Sequence, residues 1–181
     1  MESLRGNLLV ASPALLDPNF LRTVVLVVEH GEEGALGLVL NRPTEASVEE
    51  AVPGLADLVE EGALVFVGGP VQPEAVMVAA ELDDPAEAAA IVFGDVGMLP
   101  GVEDPATLAA ATRRTRVFAG YAGWGAGQLE AELAEEAWIV EAAVPEDVFG
   151  EAPEKLWSDV LRRKGGQYAI VARMPSDPSM N

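Results

Sequence analysis

The sequence has no cysteine and one histidine, and its 30 acidic residues outnumber its 11 basic ones, giving a formal net charge of -19. Without cysteine there is no disulfide, no cysteine nucleophile and no thiolate ligand for zinc or an iron–sulfur cluster. Non-specific affinity for nucleic acids comes mostly from lysine and arginine on phosphates. A chain this acidic therefore disfavours direct nucleic-acid binding.

Long apolar runs are also missing. The longest uncharged stretches, Gly62–Pro73 and Val117–Leu129, are rich in glycine and fall short of the about 20 apolar residues that a membrane-spanning helix needs. The first residues include Glu2, Arg5 and Pro13, a composition unlike that of a targeting peptide. We therefore expect a cytoplasmic protein with no membrane contact.

The apolar content is nevertheless high. Half of the 181 residues are apolar, so the chain can bury a sizeable core, and its length suits one domain. We expect that domain to cover residues 1–174. The segment 175–181 contains two prolines and small polar residues, which favours a loose C-terminal tail.

Short apolar runs bounded by glycine and proline predict a sheet. The continuous run Thr23–Val28 is typical of a strand buried on both faces in the middle of a sheet. His30–Gly34 predicts a hairpin loop, and Leu36–Leu40 the returning strand. The other predicted strands are Leu8–Ala11, Ala63–Val67, Val76–Leu82, Ile91–Val96, Arg116–Tyr121, Ile139–Val144 and Tyr168–Ala172.

Helices are predicted between several of these strands. A capping-box pattern begins at Ser47, and a proline in the first turn favours a helix from Asp104 to about Arg114. Two more helices are predicted over Gln128–Ala137 and Pro153–Lys164. Because hairpins and helix-containing links both occur, we predict a mixed β-sheet flanked by helices, in the α/β class, with α+β as the alternative.

The charges are unevenly distributed. No lysine or arginine lies between Arg42 and Arg113, whereas acidic residues continue throughout that stretch, which indicates a solvated acidic face. The basic residues cluster late, in Arg113–Arg116 and Arg162–Lys164. Either cluster could contact a phosphate, but both lie near the ends of predicted helices, where the helix dipole favours cations. We favour that structural interpretation.

Familiar catalytic motifs do not occur. The serine-hydrolase Gly-x-Ser-x-Gly and the phosphate-binding P-loop are absent. His30-Gly31-Glu32 matches half of the zinc-deaminase signature, but the other half needs cysteines. One imidazole with scattered carboxylates is a weak transition-metal site, and no EF-hand spacing is present. We predict no metal and no cofactor.

The segment Gly120–Gly127 is the most unusual in the chain. It contains four glycines around Trp124 and is predicted to lie between a strand and a helix, where backbone N–H groups can bind an anion. Two interpretations remain open. The segment is either a tight turn with a packed tryptophan, which we favour, or a ligand-binding loop.

Polar residues mark both ends of the predicted hairpin. Glu29 and His30 end the buried strand, and neighbours on a strand point to opposite faces unless a bulge intervenes. Asn41 and Arg42 close the partner strand, so they are expected near the start of the hairpin. Arg42 could bind a carboxylate or phosphate through two hydrogen bonds. A pair with a local acid is the favoured alternative.

Several motifs together resemble the AlgH/YqgE family of bacterial proteins, over about residues 4–174. They are Ala11-Ser12-Pro13, Asp17–Phe20, Thr23-Val24, Glu29-His30, Gly34–Pro43, Gly68–Val71, Gly120–Trp124, Gly127–Glu130 and Trp138.

The resemblance implies a fold and a general role. It implies a compact α/β fold whose bent sheet forms a pseudo-barrel. Members of the family are commonly described as transcriptional regulators, but no predicted helix pair here carries a basic recognition face. Members often have a Leu-His pair where this chain has Met77-Val78-Ala79-Ala80, and Ser-Arg-Asp where it has Phe93-Gly94-Asp95. These departures weaken an enzymatic interpretation.

The leading hypothesis is a binding or regulatory protein without catalytic activity. Its partner would be a small molecule or a protein, held in a cleft formed by the Glu29-His30 loop, the Gly68–Pro70 turn and the Gly120–Gly127 loop. The alternatives are a regulator acting directly on DNA and a hydrolase-like enzyme that uses His30. The candidate ligand-binding residues are Glu29, His30, Gly68, Gly69, Pro70, Tyr121, Gly123, Trp124 and Gln128, with Asn41 and Arg42 as further polar candidates.

Overall fold

The computed structural model of the chain describes residues 2–100 and 105–175. The strands are β1 Asn7–Ala11, β2 Val24–Gly31, β3 Gly34–Val39, β4 Pro43–Ser47, β5 Leu64–Val67, β6 Val71–Leu82, β7 Ala90–Phe93, β8 Val96–Met98, β9 Thr112–Gly125 and β10 Trp138–Ala142. The α-helices are α1 Val48–Ala51, α2 Pro105–Ala110, α3 Gln128–Ala134, α4 Pro145–Phe149, α5 Leu156–Lys164 and α6 Gln167–Val171. Short 3-10 helices cover Pro53–Leu58, Pro85–Glu87 and Pro153–Lys155.

The strands form one large sheet in the order β10-β1-β2-β3-β9-β6-β8-β7, from which β5 and β4 branch beside β9. The β5–β9 pair is parallel, and the other pairs in the described residues are antiparallel. The predicted α/β class, with a mixed sheet and flanking helices, is confirmed. Within the described ranges the sheet is not closed into a barrel, although Arg5 beside β1 donates a hydrogen bond to the Ile91 carbonyl of β7.

Strand β2 lies in the middle of the sheet and is buried on both faces, as its continuous apolar run predicts. Val24, Leu26 and Val28 pack into a core beneath α5, whereas Val25 and Val27 pack into a second core with the indole of Trp124. Fully burying one such side chain stabilises the fold by about 1.5–3 kcal/mol. The predicted Thr23–Val28 strand is thus the centre of the molecule.

A third core lies under the acidic stretch of the chain. Val48, Leu55 and Leu58 pack against Val117 of β9. The Ser47 hydroxyl accepts a hydrogen bond from the Glu50 N–H at 3.2 Å, so α1 begins at the predicted cap. The acidic side chains of this region lie on the outer surface of a conventional apolar core.

Two predicted strands are wrong. Ile91–Val96 is two strands, β7 and β8, because Gly94 turns the chain with φ +50°. Tyr168–Ala172 is the helix α6, which packs against α5 and places the Tyr168 ring 5.2 Å from the Lys164 ammonium. A short apolar run does not distinguish a strand from a buried helix segment.

The predicted helix to Arg114 is also wrong at its C-terminal end. α2 ends at Ala110, and Arg113 and Arg114 already belong to β9. The predicted start at Asp104 lies outside the described residues. Strand β9 then continues to Gly125, so most of the predicted Gly120–Gly127 loop is strand.

The C-terminal residues pack against the sheet. Arg22 stacks 4.2 Å over the Trp157 ring and donates hydrogen bonds to the carbonyls of Met174 and Pro175 at 2.6 Å. The Lys164 ammonium at the end of α5 donates to the Val140 carbonyl of β10 at 2.8 Å, which covers part of that edge strand. Of the predicted loose tail, residues 176–181 lie outside the described residues.

Gly34 is the sharpest steric constraint in the β2–β3 hairpin. Its φ is +133°, and a Cβ at this position would lie 2.1 Å from the Trp124 carbonyl oxygen of β9. We expect Gly34→Ala to lower the free energy of unfolding by about 2–4 kcal/mol. Gly54→Ala is the matched control, because nothing lies within 4 Å of its Cβ position, and it should change stability by less than about 1 kcal/mol. Urea unfolding measures both, and equal effects would contradict this steric account.

Candidate functional site

The described surface includes two clefts that contain polar side chains. The first, which we call the His30 cleft, has a volume of about 550 Å³ and is lined by Ser3, Arg5, residues 29–36 and Trp124. The second, which we call the arginine cleft, has a volume of about 630 Å³. It lies between β5, β9, α4 and the 3-10 helix Pro53–Leu58, and Arg113, Arg114 and Arg116 line it.

Both ring nitrogens of His30 are engaged within the chain. Nε2 lies 2.6 Å from a carboxylate oxygen of Glu130 on α3, and Nδ1 accepts a hydrogen bond from the Leu4 N–H at 2.9 Å. Because Nδ1 accepts, the arrangement assigns the proton of the neutral ring to Nε2, which donates it to Glu130. The side chain is 3% exposed. His30 thus ties the N-terminal segment and α3 to the end of β2.

The same geometry determines what His30 can do chemically. A general base needs a free ring nitrogen within hydrogen-bond reach of the proton it removes, but both nitrogens of His30 already have partners. The His30 hydrogen bond is the main cause that lowers the pKa of Glu130, and a bond to its own backbone N–H adds to it. The pair is arranged as an ionised carboxylate accepting from a neutral imidazole.

Glu29 and His30 line the same cleft although they are adjacent on a strand. The register between β2 and β3 shifts between Val27 and Glu29, so the bulge precedes both residues, and Glu29 and His30 still point to opposite faces of the strand. Glu29 is exposed, whereas the His30 side chain is buried. Of the predicted ligand-binding residues, the structure brings Glu29, His30 and Trp124 together in the His30 cleft.

Trp124 and Gln128 belong to a hydrogen-bond network centred on Glu132. One Glu132 oxygen accepts from the indoles of Trp124 and Trp138 at 3.2 and 3.0 Å, and the other accepts from the Gln128 amide at 3.0 Å. The Gln128 carbonyl accepts from a backbone N–H of β9 at 3.0 Å. Phe20 stacks on Trp124 with ring centroids 6.3 Å apart. These groups hold α3 against the sheet.

Gly68, Gly69 and Pro70 form a turn that lies against the backbone of β9. A Cβ on Gly68 would lie 2.3 Å from the Gly120 carbonyl oxygen, and one on Gly69 would lie 2.1 Å from the Tyr121 carbonyl carbon. Glycine at these two positions permits this close approach. The turn does not border the His30 cleft in the described residues, so the three predicted loops do not converge on one cleft.

The remaining candidates on β9 are part of the sheet. Tyr121 pairs with Val71 of β6, and Gly123 pairs with Leu36 of β3. The Tyr121 side chain packs against the core beneath α5. Tyr121 and Gly123 therefore belong to the part of β9 that pairs with two other strands. Neither residue borders the His30 cleft in the described residues.

Asn41 and Arg42 lie at the start of the hairpin, as expected. The Asn41 side chain accepts from the Val24 N–H at 3.0 Å and donates to the Arg22 carbonyl at 2.9 Å, which extends the ladder of β2. Arg42 donates to three backbone carbonyls of the turn over residues 18–21, at 2.7–3.2 Å. Burial lowers its pKa, and the charge of Asp17 partly offsets that effect. These carbonyls hold the guanidinium in place of the expected ion pair.

The arginines that line the arginine cleft are not among the predicted ligand-binding residues. Arg113 forms ion pairs with Asp83 and Asp95 at 3.1 and 3.0 Å. Arg114 is held by both oxygens of Glu81 at 3.1 and 3.2 Å, and it also contacts Glu146 of α4. The signal was visible as the cluster Arg113–Arg116, but the prediction placed it at the end of a helix.

Arg116 differs from its neighbours in having carbonyls as partners. It donates to the Val148 and Gly150 carbonyls at the end of α4, at 2.7 and 3.1 Å, and lies 4.3 Å over the Phe66 ring. No carboxylate of the described ranges lies within ion-pair distance of it. Burial lowers its pKa, and the positive charge of Arg114 adds to the effect.

The described residues contain neither a cluster of metal ligands nor a helix suited to span a membrane. No group of three or more histidine, aspartate or glutamate side chains among them could hold a metal ion. None of the helices in residues 2–100 and 105–175 has both the length and the apolar composition needed to cross a membrane.

Comparisons with known proteins agree over nearly the whole chain. A family model described as AlgH-like matches residues 8–169. A UPF0301 protein of Streptomyces avermitilis is 48% identical over 187 residues, covering 100% of this chain and 97% of the relative. A UPF0301 protein of Chlorobaculum tepidum is 43% identical, covering 97% of this chain and 95% of its own length.

Two solved structures share the fold. The crystal structure of protein DIP2367 from Corynebacterium diphtheriae superposes with a TM-score of 0.88 at 27% identity, covering 96% of this chain and 94% of that chain. The solution structure of the AlgH protein from Pseudomonas aeruginosa superposes with a TM-score of 0.73 at 32% identity, covering 96% and 95%.

The engaged ring of His30 predicts a structural effect on substitution. We expect His30→Ala to lower the free energy of unfolding by about 1–3 kcal/mol, because the Leu4 N–H and the Glu130 carboxylate each lose a partner. Glu29→Ala is the matched control on the adjacent, exposed residue and should stay within about 0.5 kcal/mol. Urea unfolding of both variants tests this expectation. A His30→Ala effect no larger than the control would contradict it.

The lowered pKa of Glu130 also predicts a pH dependence. A carboxyl whose pKa is lower in the folded state stabilises the fold above its ordinary pKa of 4.5, and that contribution is lost as pH falls through the folded-state value. We expect the stability difference between the parent and Glu130→Gln to shrink as the pH falls below about 4.5. Unfolding curves above and below this pH measure it. A difference that grows on acidification would contradict the assignment.

Proposed function

The chain belongs to the AlgH-like family, as its motifs indicated, and from that premise we propose that it acts by binding, without catalytic activity. The proposal includes a cytoplasmic location and a partner that is a small molecule or a protein. It places the principal ligand site in the arginine cleft. The observation that carries the non-catalytic part is the engagement of both ring nitrogens of His30 by the chain itself.

The engaged imidazole weighs against a hydrolase. In nucleophilic catalysis the base accepts a proton from a neighbouring hydroxyl or thiol, and this chain has one histidine and no cysteine. The carboxylate nearest to His30 accepts from Nε2, the nitrogen that a triad keeps for its nucleophile. We therefore interpret His30 and Glu130 as a positioning pair that fixes α3 on the sheet.

The arginine cleft suits a ligand better than the His30 cleft does. In the His30 cleft the polar side chains of His30 and Trp124 bond to the chain itself, and Glu29, Glu32 and Glu33 add negative charge. The arginine cleft is larger and presents three arginines beside the exposed Leu64, although Asp57, Glu60, Glu146 and Glu151 also line it. Small-molecule sites typically combine apolar walls with a few well-placed polar groups.

A regulator acting directly on DNA is the less favoured alternative. Binding several phosphates requires a basic surface, but the net charge is -19. Arg113 and Arg114 are already paired with carboxylates. Control of transcription through a bound ligand or a protein partner agrees with this charge distribution.

A ligand screen tests the proposed function. We expect at least one metabolite or nucleotide to raise the Tm of the full chain, by about 5–10 °C at 100-fold excess over Kd. Arg116→Gln should remove most of that shift, whereas Glu29→Gln in the His30 cleft should retain it. A shift lost in Glu29→Gln but kept in Arg116→Gln would overturn the assigned cleft.

An activity panel tests the absence of catalysis separately. We expect no turnover of ester, phosphate or amide substrates. Turnover that disappears in His30→Gln while the variant stays folded would show that the protein is an enzyme and overturn this part of the proposal.

A further inference from the structure

Resting on the proposed binding function, we infer that the arginine cleft binds a small molecule that carries an anionic oxygen group, carboxylate or phosphoryl, beside an apolar ring. Arg116 and Arg114 would hold the anion. Leu64, which is exposed in the same cleft, would contact the ring.

The cleft exists because β5 separates from β9. The two strands pair in parallel at Phe66–Phe118 and Val67–Ala119, while the opposite edge of β9 stays paired with β6 back to Thr112. The edge of β9 that faces away from β6 therefore borders open space over residues 112–117. Helix α4 and the 3-10 helix Pro53–Leu58 form the walls of that space, so it is recessed between elements of the fold.

Arg114 and Arg116 are two residues apart on β9, so both side chains project from the same face of the strand. Arginine has five N–H donors, and Arg116 uses two of them on the Val148 and Gly150 carbonyls. The other donors are available to an acceptor in the cleft. The two carbonyls orient the guanidinium in advance, so less side-chain freedom is lost when an anion binds.

Arg116 has no carboxylate in ion-pair contact among the described residues, although Asp57, Glu60, Glu146 and Glu151 line the same cleft. Removing a cation from water is costly unless it is paired, and in the described part of the chain Arg116 has carbonyl partners but no carboxylate. Burial already lowers its pKa, which shows that its charged form is poorly solvated. A bound carboxylate or phosphoryl group would supply the missing negative charge through charge-assisted hydrogen bonds.

Aromatic rings lie directly beside the two guanidinium groups. Arg116 is 4.3 Å from the Phe66 ring centroid, and Arg114 is 5.2 Å from that of Phe149. Both distances are within the range of a cation–π contact. Leu64, which also lines the cleft, is 39% exposed. Phe66 and Phe149 are themselves 4% and 6% exposed, so they lie behind the guanidinium groups, and Leu64 offers the apolar surface that an attached ring would contact.

Glu146 occupies the position of a competing anion. It contacts Arg114 from α4, and its side chain is 71% exposed. An exposed ion pair contributes little to stability, so a ligand anion can displace this carboxylate at small cost. Glu81, on the other side of Arg114, is only 13% exposed and holds the guanidinium in place.

Titration of the full chain with matched probes, followed by amide NMR, tests this inference. The probes are phenyl phosphate, benzoate and neutral benzyl alcohol. We expect saturable shifts at residues of β5, β9 and α4 with at least one anionic probe, and binding at least about 10-fold weaker for benzyl alcohol. The stronger anionic probe identifies the group as phosphoryl or carboxylate.

Three variants locate the contact. Arg116→Gln should weaken binding of the anionic probe about 10-fold or more. Glu146→Gln should strengthen it several-fold, because it removes the competing carboxylate from an exposed position where the fold is insensitive. Arg162→Gln is the control, since this arginine of α5 is 55% exposed and pairs with Asp159 outside the cleft. It should leave the affinity unchanged.

The outcomes separate this inference from the binding function itself. Benzyl alcohol binding in the cleft as tightly as the anions would overturn the anionic ligand class while supporting a binding cleft. Anion shifts that are equal in Arg116→Gln and in the parent would overturn the assigned residues. If Arg116→Gln fails to fold, the Glu146→Gln titration decides, and an affinity that does not rise would overturn the inference.

Discussion

Backbone pairing along β9 is the constraint on which the rest of the structure depends. One edge of this strand is bonded to β6, and the other is bonded first to β5 and then to β3. It therefore joins the β10-β1-β2-β3 half of the sheet to the half that contains β7 and β8. The close approach of Gly34 and Gly69 to its backbone shows how tightly this junction is packed. Both clefts border β9, so the same strand positions both.

The sequence correctly predicts those elements whose residue pattern is compatible with a single type of secondary structure. Continuous burial of Thr23–Val28 follows from its apolar run, and the cap at Ser47 follows from its hydroxyl. Prediction is wrong where a pattern fits two structures. Tyr168–Ala172 has the composition of a strand, but contact with α5 makes it a helix. Arg113–Arg116 looks like a charged helix end, because the carboxylates and carbonyls that accept these arginines in the strand are distant in the chain.

For the candidate site, sequence patterns identify unusual residues without showing which way their polar atoms face. His30, Trp124 and Gln128 were predicted to face a ligand. In the structure His30 bonds to Glu130, and Trp124 and Gln128 bond to Glu132, both on α3. His30 and Gln128 each also accept a hydrogen bond from a backbone N–H. The chain reaches α3 about a hundred residues after His30. Only the fold reveals that these carboxylates satisfy the side chains, so spacing in the sequence could not distinguish an orienting network from an open site.

The acidity of the chain and an anionic ligand are compatible because they act over different distances. At physiological ionic strength a charge is screened beyond about 8 Å, so the net charge of -19 acts mainly on large polyanions that contact much of the surface at once. A small anion in a recessed cleft senses chiefly the nearest groups. There Arg116 is partly buried, and an interaction with its guanidinium is screened less than one at the open surface. Under the proposed ligand class, the same charge distribution disfavours nucleic acid while the cleft accepts a single carboxylate or phosphoryl group, which would give it a selectivity that a basic surface would lack.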